Sequence, residues 1–200
     1  MAHYLTAGKV VSLALVAFFL GSVPFGVLFA RLFGKKDPRE VGSGNVGATN
    51  VARAAGKVAG ALTLLLDAFK GYLPVLLAWS WLKSPDYVAL VGFFAILGHC
   101  YSPFLSFRGG KGVATGLGVY LALSPLAVLM AAGVFGLVIW RWRYVSLASI
   151  SAAWAMVPFI YLVQKNPLLT LFTALIALLI TWRHRANIQR LVKGEETRFF

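Results

Sequence analysis

The sequence predicts an all-α integral membrane protein, folded as a bundle of seven transmembrane helices. Hydrophobic residues make up 60% of its 200 residues and charged residues only 12%, against roughly 45–50% and 25% in soluble domains. Apolar runs recur near the roughly 20 residues that a helix needs to cross a bilayer. Basic residues concentrate in alternate connections, as the positive-inside rule predicts. No internal repeat divides the chain, so one domain is predicted over residues 1–200.

Uncharged or nearly uncharged runs are the candidate spans. The first, residues 10–30, is longer than the roughly 7–15 apolar residues of a signal peptide core, so we interpret it as an uncleaved span. The run 58–82 is interrupted only by Asp67 and Lys70. The remaining runs cover residues 87–107, 112–140, 144–164 and 166–182, and the last needs flanking arginines to complete a crossing.

The run 112–140 is too long for one crossing, and the charges favour two. Without a split, and with the amino terminus outside, Arg141, Arg143 and the basic tail would lie outside. A break at Ser124 and Pro125 places them inside, because proline starts a helix more readily than it continues one. Both halves are short, so we expect a thin or partly re-entrant hairpin. The predicted cytoplasmic segments are loops 34–57, 108–111 and 141–143 and the carboxyl-terminal tail 183–200.

The net charge of +13 limits the partners and the chemistry. Such an excess of basic residues suits anionic lipid headgroups and phosphorylated substrates, and a membrane-embedded chain argues against nucleic acid. Cys100 is the single cysteine, which excludes a disulfide framework within one chain. His, Asp and Glu do not cluster at ligand spacing, so no metal and no cofactor are expected. The sequence does not specify an oligomeric state.

The stretch Ser43–Lys57, SGNVGATNVARAAGK, is the first candidate binding segment. Glycine permits positive φ, so Gly44, Gly47 and Gly56 can bend the backbone until successive N–H groups point inward as an anion nest. Arg53 would supply a bidentate fork to a phosphate or carboxylate. The alternative is a flexible glycine-rich connector.

The turn FRGGKGVAT, residues 107–115, is the second candidate. Gly109 and Gly110 precede Lys111 just before a helix, whose N-terminus favours anions. The turn is not a Walker A loop, because Gly112 stands where Ser or Thr should follow the lysine. Arg108 is interpreted as an ordinary positive-inside anchor, whereas Lys111 is assigned to the site.

Further polar residues lie in the later spans and inside the membrane. Ser149 is a candidate polar contact, with helix packing as the stronger alternative. His184 and Asn187 share a helix face at i, i+3, and His184 is equally a base, a phosphate ligand or an interfacial residue. Asp67, Lys70 and His99 are ionisable at membrane depth, which indicates function, although a structural ion pair of Asp67 with Lys70 is favoured.

Six motifs in order resemble the bacterial acyl-phosphate:glycerol-3-phosphate acyltransferases. They are SGNVGATNVARAAGK, DAFKG from Asp67, GHCYSPF from Gly98, FRGGKGVAT, RYVSLAS from Arg143 and HRANIQRLVKGEE from His184. Val46 stands where the family usually has proline. The resemblance implies an inner-membrane enzyme with seven spans and a cytoplasmic active site. It also implies the reaction, which is transfer of an acyl chain from acyl phosphate to the sn-1 hydroxyl of glycerol 3-phosphate. The product, lysophosphatidic acid, is used in phospholipid synthesis.

With these substrates, fixed positive charge matters more than carboxylates. Acyl phosphate is already activated, so orientation and charge stabilisation suffice without a covalent enzyme intermediate. We expect a donor phosphate oxygen to take the hydroxyl proton, with His184 as the competing base. The expected substrate-binding residues are Ser43, Gly44, Asn45, Gly47, Thr49, Asn50, Arg53, Gly109, Gly110 and Lys111. The expected catalytic residues are Lys111, Ser149, His184 and Asn187.

A transporter or channel for a phosphorylated or carboxylate anion is the alternative function. It would also use glycine-rich loops, a basic funnel and intramembrane charges. Such a protein should carry polar residues through to the outer face and show pseudo-symmetry between its halves. The outer loops hold little beyond Lys83, Asp86 and Lys165, and the halves do not repeat.

Overall fold

The computed structural model describes the backbone of residues 2–199 and the side chains of residues 6–199. Over that range the chain is helical and contains no strand, which confirms the all-α prediction. The helices are α1 (Ala2–Ser22), α2 (Phe25–Leu32), α3 (Ala48–Ala55), α4 (Lys57–Leu82), α5 (Pro85–Cys100), α6 (Val113–Leu123), α7 (Pro125–Trp142), α8 (Val145–Gln164), α9 (Pro167–Arg183) and α10 (Arg185–Val192), with short 3₁₀ turns at Pro38–Glu40 and Pro103–Leu105. Met1 and Phe200, the ends of the predicted domain, lie outside the described residues.

Contacts divide the chain into two compact units, Met1–Ala122 and Leu123–Phe200. The prediction of a single domain therefore stays a prediction, and each unit is described by itself. The break predicted at Ser124 and Pro125 is confirmed, because α6 ends at Leu123 and α7 begins at Pro125.

Fewer helices than the predicted seven have the length of a full membrane span. Among the described residues, the segments Thr6–Leu32, Lys57–Leu82, Pro85–Leu105, Pro125–Trp142 and Val145–Gln164 are long and apolar enough to cross. The pair α9 and α10, bent by 60°, would add a sixth. Helix α6 has only 11 residues, short of the roughly 20 needed. Seven crossings and the sides of the termini stay predictions.

Short connections join the long helices, because residues with positive φ end several of these helices and prolines begin several. Lys83, Arg143 and Lys165 have positive φ at the ends of α4, α7 and α8. Proline occupies the first turn of α5, α7 and α9, where its missing N–H costs no hydrogen bond. The result is tight hairpins with little polar chain between helices.

In the first unit, α1 packs against α4 and α5, and α2 and α3 pack against α4. Gly21 and Gly98 make the α1–α5 contact so close that a Cβ on either would collide with the opposing backbone at Ala95 or Phe18. Small residues are what allow helix backbones to approach this closely in membranes. The crossing of α1 and α5 is therefore fixed by these two glycines.

In the second unit, α8 packs between α7 and α9, and α10 contacts both α8 and α9. Asn166 caps α9 by accepting the N–H of Leu169 at 2.9 Å. Through its contacts with α8 and α9, helix α10 lies at the end of this unit where α8 begins and α9 ends. This position brings polar side chains of α8 and α10 together.

Candidate active site

The first polar segment, residues 34–57, is more ordered than its composition predicts. The predicted loop 34–57 contains a 3₁₀ turn and the helix α3, so most of the stretch after Gly47 is helical rather than loop. Gly44 and Gly56 have the expected positive φ, at 67° and 95°. Gly47 has φ of −77° and precedes α3 as its N-cap residue. Two of the three glycines therefore use the positive φ that glycine permits, and Gly47 does not.

Asn50 holds this segment together. Its Nδ2 donates to the carbonyls of Pro38 at 2.7 Å, Val41 at 3.0 Å and Asn45 at 2.8 Å. Its Oδ1 accepts the N–H of Ser43 at 3.0 Å. The side chain is only 3% exposed, so both ends of its amide are used inside the protein. Asn50 was predicted to bind substrate, but its geometry is that of a residue that shapes the loop.

The other predicted ligands of this segment differ in accessibility. Ser43, Gly44 and Arg53 are exposed, and Arg53 lies on the outward side of α3. Asn45 accepts the N–H of Gly47 through Oδ1 at 2.9 Å, and Thr49 is half-buried in the first turn of α3. The segment therefore presents Ser43 and Arg53 outward from a scaffold built by Asn50.

The glycine-rich turn packs against the end of α5. The N–H of Gly109 donates to the carbonyl of Cys100 at 3.2 Å, and that of Gly110 donates to the carbonyl of His99 at 3.0 Å. A Cβ at Gly110 would collide with the His99 imidazole. These two amides are engaged within the fold, so their glycines allow close packing and do not offer N–H groups to an anion. Lys111, half-buried, follows directly.

Asp67, Lys70 and His99 form a buried cluster in the first unit, each no more than 6% exposed. Lys70 Nζ lies 2.6 Å from Asp67 Oδ1 and donates to the carbonyl of Val23 at 2.8 Å. His99 Nδ1 lies 3.8 Å from the same carboxylate oxygen. The favoured reading of Asp67 and Lys70 as a structural ion pair is confirmed by this geometry.

This cluster also closes the break between α1 and α2. Ser102 Oγ donates to the carbonyl of Ser22, the last residue of α1, at 2.6 Å, and Lys70 donates to the carbonyl of Val23 in the break. The Ser22 carbonyl has no partner within α1, because a helix leaves its last four C=O groups unsatisfied. A small cavity beside the cluster is lined by residues of the first polar segment, the α1–α2 break and the cluster itself, including Val46, Ser22, Asp67, Lys70, His99 and Ser102.

In the second unit, His184 lies at the junction of α9 and α10 and is 3% exposed. Its Nδ1 is 2.7 Å from the carbonyl of Ile180. A carbonyl only accepts, so Nδ1 carries the hydrogen and the lone pair of the neutral ring is on Nε2. This tautomer is the one that a base or an acceptor acting through Nε2 requires.

Ser149 is buried, and its hydroxyl donates to the carbonyl of Val145 at 2.8 Å, one turn earlier in α8. Such back-bonding uses the hydroxyl proton within the helix. The oxygen remains able to accept a hydrogen bond. Its geometry agrees with the packing alternative given for Ser149.

Asn187 lies in a network centred on Glu196. Asn187 Nδ2 donates to Glu196 Oε1 at 2.6 Å, and Ser146 Oγ donates to the same oxygen at 2.7 Å. Arg190 Nε donates to Glu196 Oε2 at 2.7 Å. Burial acts to raise the pKa of the Glu196 carboxyl, but the hydrogen bonds from Asn187, Ser146 and Arg190 outweigh it, and the pKa is lowered.

Glu196 was not among the residues predicted from the sequence. Its position depends on a reversal after α10, where Gly194 has φ of 74°. The N–H groups of Gly194 and Glu195 donate to the carbonyls of Leu191 and Arg190 at 3.2 and 2.8 Å, which is a Schellman motif. A glycine just after the last turn of a helix is the signal for such a reversal, so the direction of the tail was predictable even though its partners were not.

The structure brings predicted residues together within each unit. Ser43, Asn45, Asn50 and Arg53 belong to one scaffold in the first unit, and His184 and Asn187 lie on neighbouring turns in the second. Among the described side chains, no group of three or more His, Cys, Asp or Glu is arranged to hold a metal ion. The basic and amide groups of both units are suited to binding anions by charge and hydrogen bonding.

An all-α fold with several helices of bilayer length and buried charged groups defines an integral membrane protein. A sequence model of the glycerol-3-phosphate acyltransferases matches residues 11–194. The glycerol-3-phosphate acyltransferase of Syntrophotalea carbinolica is 52% identical over 186 residues, covering 92% of this chain and 95% of that protein. That of Geobacter sulfurreducens is 50% identical over 187 residues, covering 94% and 96%. The chain belongs to the glycerol-3-phosphate acyltransferase family.

Two solved structures have the same fold. Both are crystal structures of PlsY, an integral membrane glycerol 3-phosphate acyltransferase. Its glycerol 3-phosphate form matches with a TM-score of 0.90 and 44% identity, over 96% of both chains. Its lysophosphatidic acid form matches with a TM-score of 0.86 and 41% identity, over the same shares.

Proposed function

We propose that this protein transfers an acyl chain from acyl phosphate to the sn-1 hydroxyl of glycerol 3-phosphate, which yields lysophosphatidic acid and inorganic phosphate. The single observation that carries the proposal is family membership over residues 11–194. The motifs around Arg53 and Lys111 support it, because both substrates carry phosphate and both residues are cations on polar segments. None of the relatives named above is a transporter, so the alternative is not favoured.

The reaction needs no covalent enzyme intermediate. The glycerol 3-phosphate oxygen attacks the acyl carbonyl carbon, the bond from that carbon to the phosphate oxygen breaks, and phosphate leaves. We assign the hydroxyl proton to a phosphate oxygen of the donor, since a phosphate monoester has a second pKa near 6. Cationic groups that stabilise charge developing on the carbonyl and on the leaving phosphate then lower the barrier.

Each segment has an assigned role. Arg53 and Lys111 are the main phosphate ligands, and Ser43 and Asn45 contact glycerol 3-phosphate. Asn50, Gly109 and Gly110 shape the segments that carry these ligands, because their polar groups are bonded within the protein.

In the second unit, His184 and Asn187 are assigned to acceptor orientation, and Ser149 to accepting a hydrogen bond. His184 contributes through Nε2, since Nδ1 is held by the Ile180 carbonyl. The competing role of His184 is that of the direct base. The size of the loss of turnover in a His184 variant distinguishes the orienting role from the base role.

The membrane topology is part of the proposal. Seven crossings with the amino terminus outside place most of the 19 Lys and Arg residues on the cytoplasmic side, as positive-inside charge bias requires. The active site then faces the cytoplasm from the bacterial inner membrane, where soluble glycerol 3-phosphate is available. Acyl chains of donor and product lie in a lipid-open groove between helices.

The test uses purified protein in detergent micelles, given acyl phosphate and glycerol 3-phosphate, with phosphate release and lysophosphatidic acid both measured. A micelle has no compartments, so a transporter would give no turnover. Equal release of both products is the expected result. The Lys111→Ala variant is the matched control, and it should lose most of the activity. Wild-type protein that releases neither product would overturn the proposed function.

A further inference from the structure

We propose that Glu196 is a positioning residue, which fixes the end of the Asn187 amide that is offered to the substrate. The inference rests on the proposed function, because it takes Asn187 to act on the acceptor in acyl transfer. It concerns a residue that contacts no substrate itself and acts through its neighbour.

The two oxygens of Glu196 have separate partners. Oε1 accepts from Asn187 Nδ2 at 2.6 Å and from Ser146 Oγ at 2.7 Å, whereas Oε2 accepts from Arg190 Nε at 2.7 Å. An ionised carboxylate only accepts hydrogen bonds, so Asn187 can meet it only with its NH₂ group. The amide oxygen of Asn187 is then directed away from Glu196.

Burial strengthens the preference of the Asn187 amide for pointing its NH₂ group at Glu196. Asn187 is 6% exposed and Ser146 is 5% exposed, and the Glu196 side chain is 9% exposed. Hydrogen bonds to a charged acceptor are roughly twice as strong as neutral ones. A flipped amide would place its oxygen against the carboxylate, where two acceptors repel each other.

The tail is built to bring Glu196 to this place. Gly194 reverses the chain after α10, with φ of 74°. Beyond Glu196, the N–H of Phe199 donates to the carbonyl of Arg143 at 2.8 Å, and the Arg198 guanidinium lies over the Tyr144 ring at 5.9 Å. The residues on both sides of Glu196 are therefore anchored, and its carboxylate is held between α8 and α10.

Two substitutions separate orientation from shape. Glu196→Gln keeps the size of the side chain but offers either an acceptor or a donor, so the Asn187 amide is free to flip. Glu196→Asp shortens the side chain but offers acceptors alone. An orienting role predicts a larger loss of kcat in E196Q, about tenfold, than in E196D. A role in packing alone predicts the reverse order.

A double-mutant cycle tests whether Glu196 acts through Asn187. The full chain in detergent is assayed for phosphate release as wild type, E196Q, N187A and the double variant. We expect E196Q to lower kcat about tenfold in the wild-type background and less than twofold in the N187A background, since coupled residues are non-additive. The Arg190→Met variant, which leaves the Oε1 bonds in place, is the matched control and should keep kcat within about twofold.

The outcomes are distinct. Equal effects of E196Q in both backgrounds, or a kcat in E196Q above that in E196D, would overturn the positioning role. If E196Q does not fold, E196D decides the question: an acceptor-only side chain should keep kcat well above that of N187A, and a loss in E196D as large as that in N187A would overturn the inference. Inactive wild-type protein would instead overturn the proposed function.

Discussion

Lys70 and Asp67 form an ion pair inside the first unit, with 2.6 Å between Nζ and Oδ1. The lysine also donates to the Val23 carbonyl at 2.8 Å. One side chain thus neutralises a buried carboxylate and binds a backbone carbonyl in the break after α1. The pair holds α4 to the break between α1 and α2.

Removing Lys70 alone should destabilise the protein strongly. Lys70→Met leaves Asp67 buried without its partner, which costs about 3–5 kcal/mol in comparable buried pairs. The double variant Asp67→Asn with Lys70→Met should recover part of that loss, because no charge is left uncompensated. Thermal unfolding in detergent measures both, with exposed Lys57→Met as the control expected to change little. A Lys70→Met variant as stable as wild type would contradict the role of the pair.

Asn50→Ala should damage the first polar segment more than Asn45→Ala. The first removes bonds to the Pro38, Val41 and Asn45 carbonyls and from the Ser43 N–H. The second removes one bond from the Gly47 N–H and one proposed contact with glycerol 3-phosphate. Unsatisfied buried polar groups cost about 1–3 kcal/mol each. We expect kcat/KM for glycerol 3-phosphate to fall at least tenfold further in Asn50→Ala than in Asn45→Ala. Equal losses in steady-state kinetics would show that Asn50 does not organise the segment.

Arg53→Ala should raise the KM of one substrate and leave the other nearly unchanged. A hydrogen bond to a charged group contributes about 1.5–3 kcal/mol, which corresponds to roughly 10–150-fold in affinity. Varying acyl phosphate and glycerol 3-phosphate separately identifies the one that Arg53 binds. Lys36→Ala, which removes an exposed cation of the same loop, controls for the loss of general positive charge. The assignment fails if both KM values rise equally.

His184→Gln should reduce turnover at saturating substrates by only about tenfold, if the donor phosphate is the base. Removal of a general base typically lowers the rate by 10²–10⁴-fold, so a loss of turnover in that range would exclude substrate assistance. The turnover is compared with that of Gln189→Ala, a change at an exposed position of α10, which should remain near wild type.

The attachment of the tail should depend on pH through Glu196. Hydrogen bonds from Asn187, Ser146 and Arg190 outweigh burial and hold the pKa of Glu196 below its ordinary value of 4.5. A lowered pKa means that the stabilisation is complete above the ordinary value and is lost as pH falls through the value in the folded protein. Between pH 7 and pH 3.5, wild-type protein should therefore lose more thermal stability than Glu196→Gln. Parallel losses in the two proteins would contradict this.

The sequence predicts helices better than it predicts what polar side chains contact. The break at Ser124 and Pro125 follows from chain length and proline geometry, which are local properties. Asn50 was predicted to be a ligand because its loop is polar, yet its partners lie 5 to 12 residues back in the chain. Glu196 pairs with Ser146 across 50 residues, and no local pattern encodes such a contact.

The seam between α1 and α5 also limits where lipid can enter the protein. Gly21 and Gly98 leave no room there for even a methyl group. A fatty acyl tail is built from methylenes of similar width, so it cannot thread through that seam. The route by which the hydrocarbon part of donor and product reaches the bilayer must therefore open along a different pair of helices.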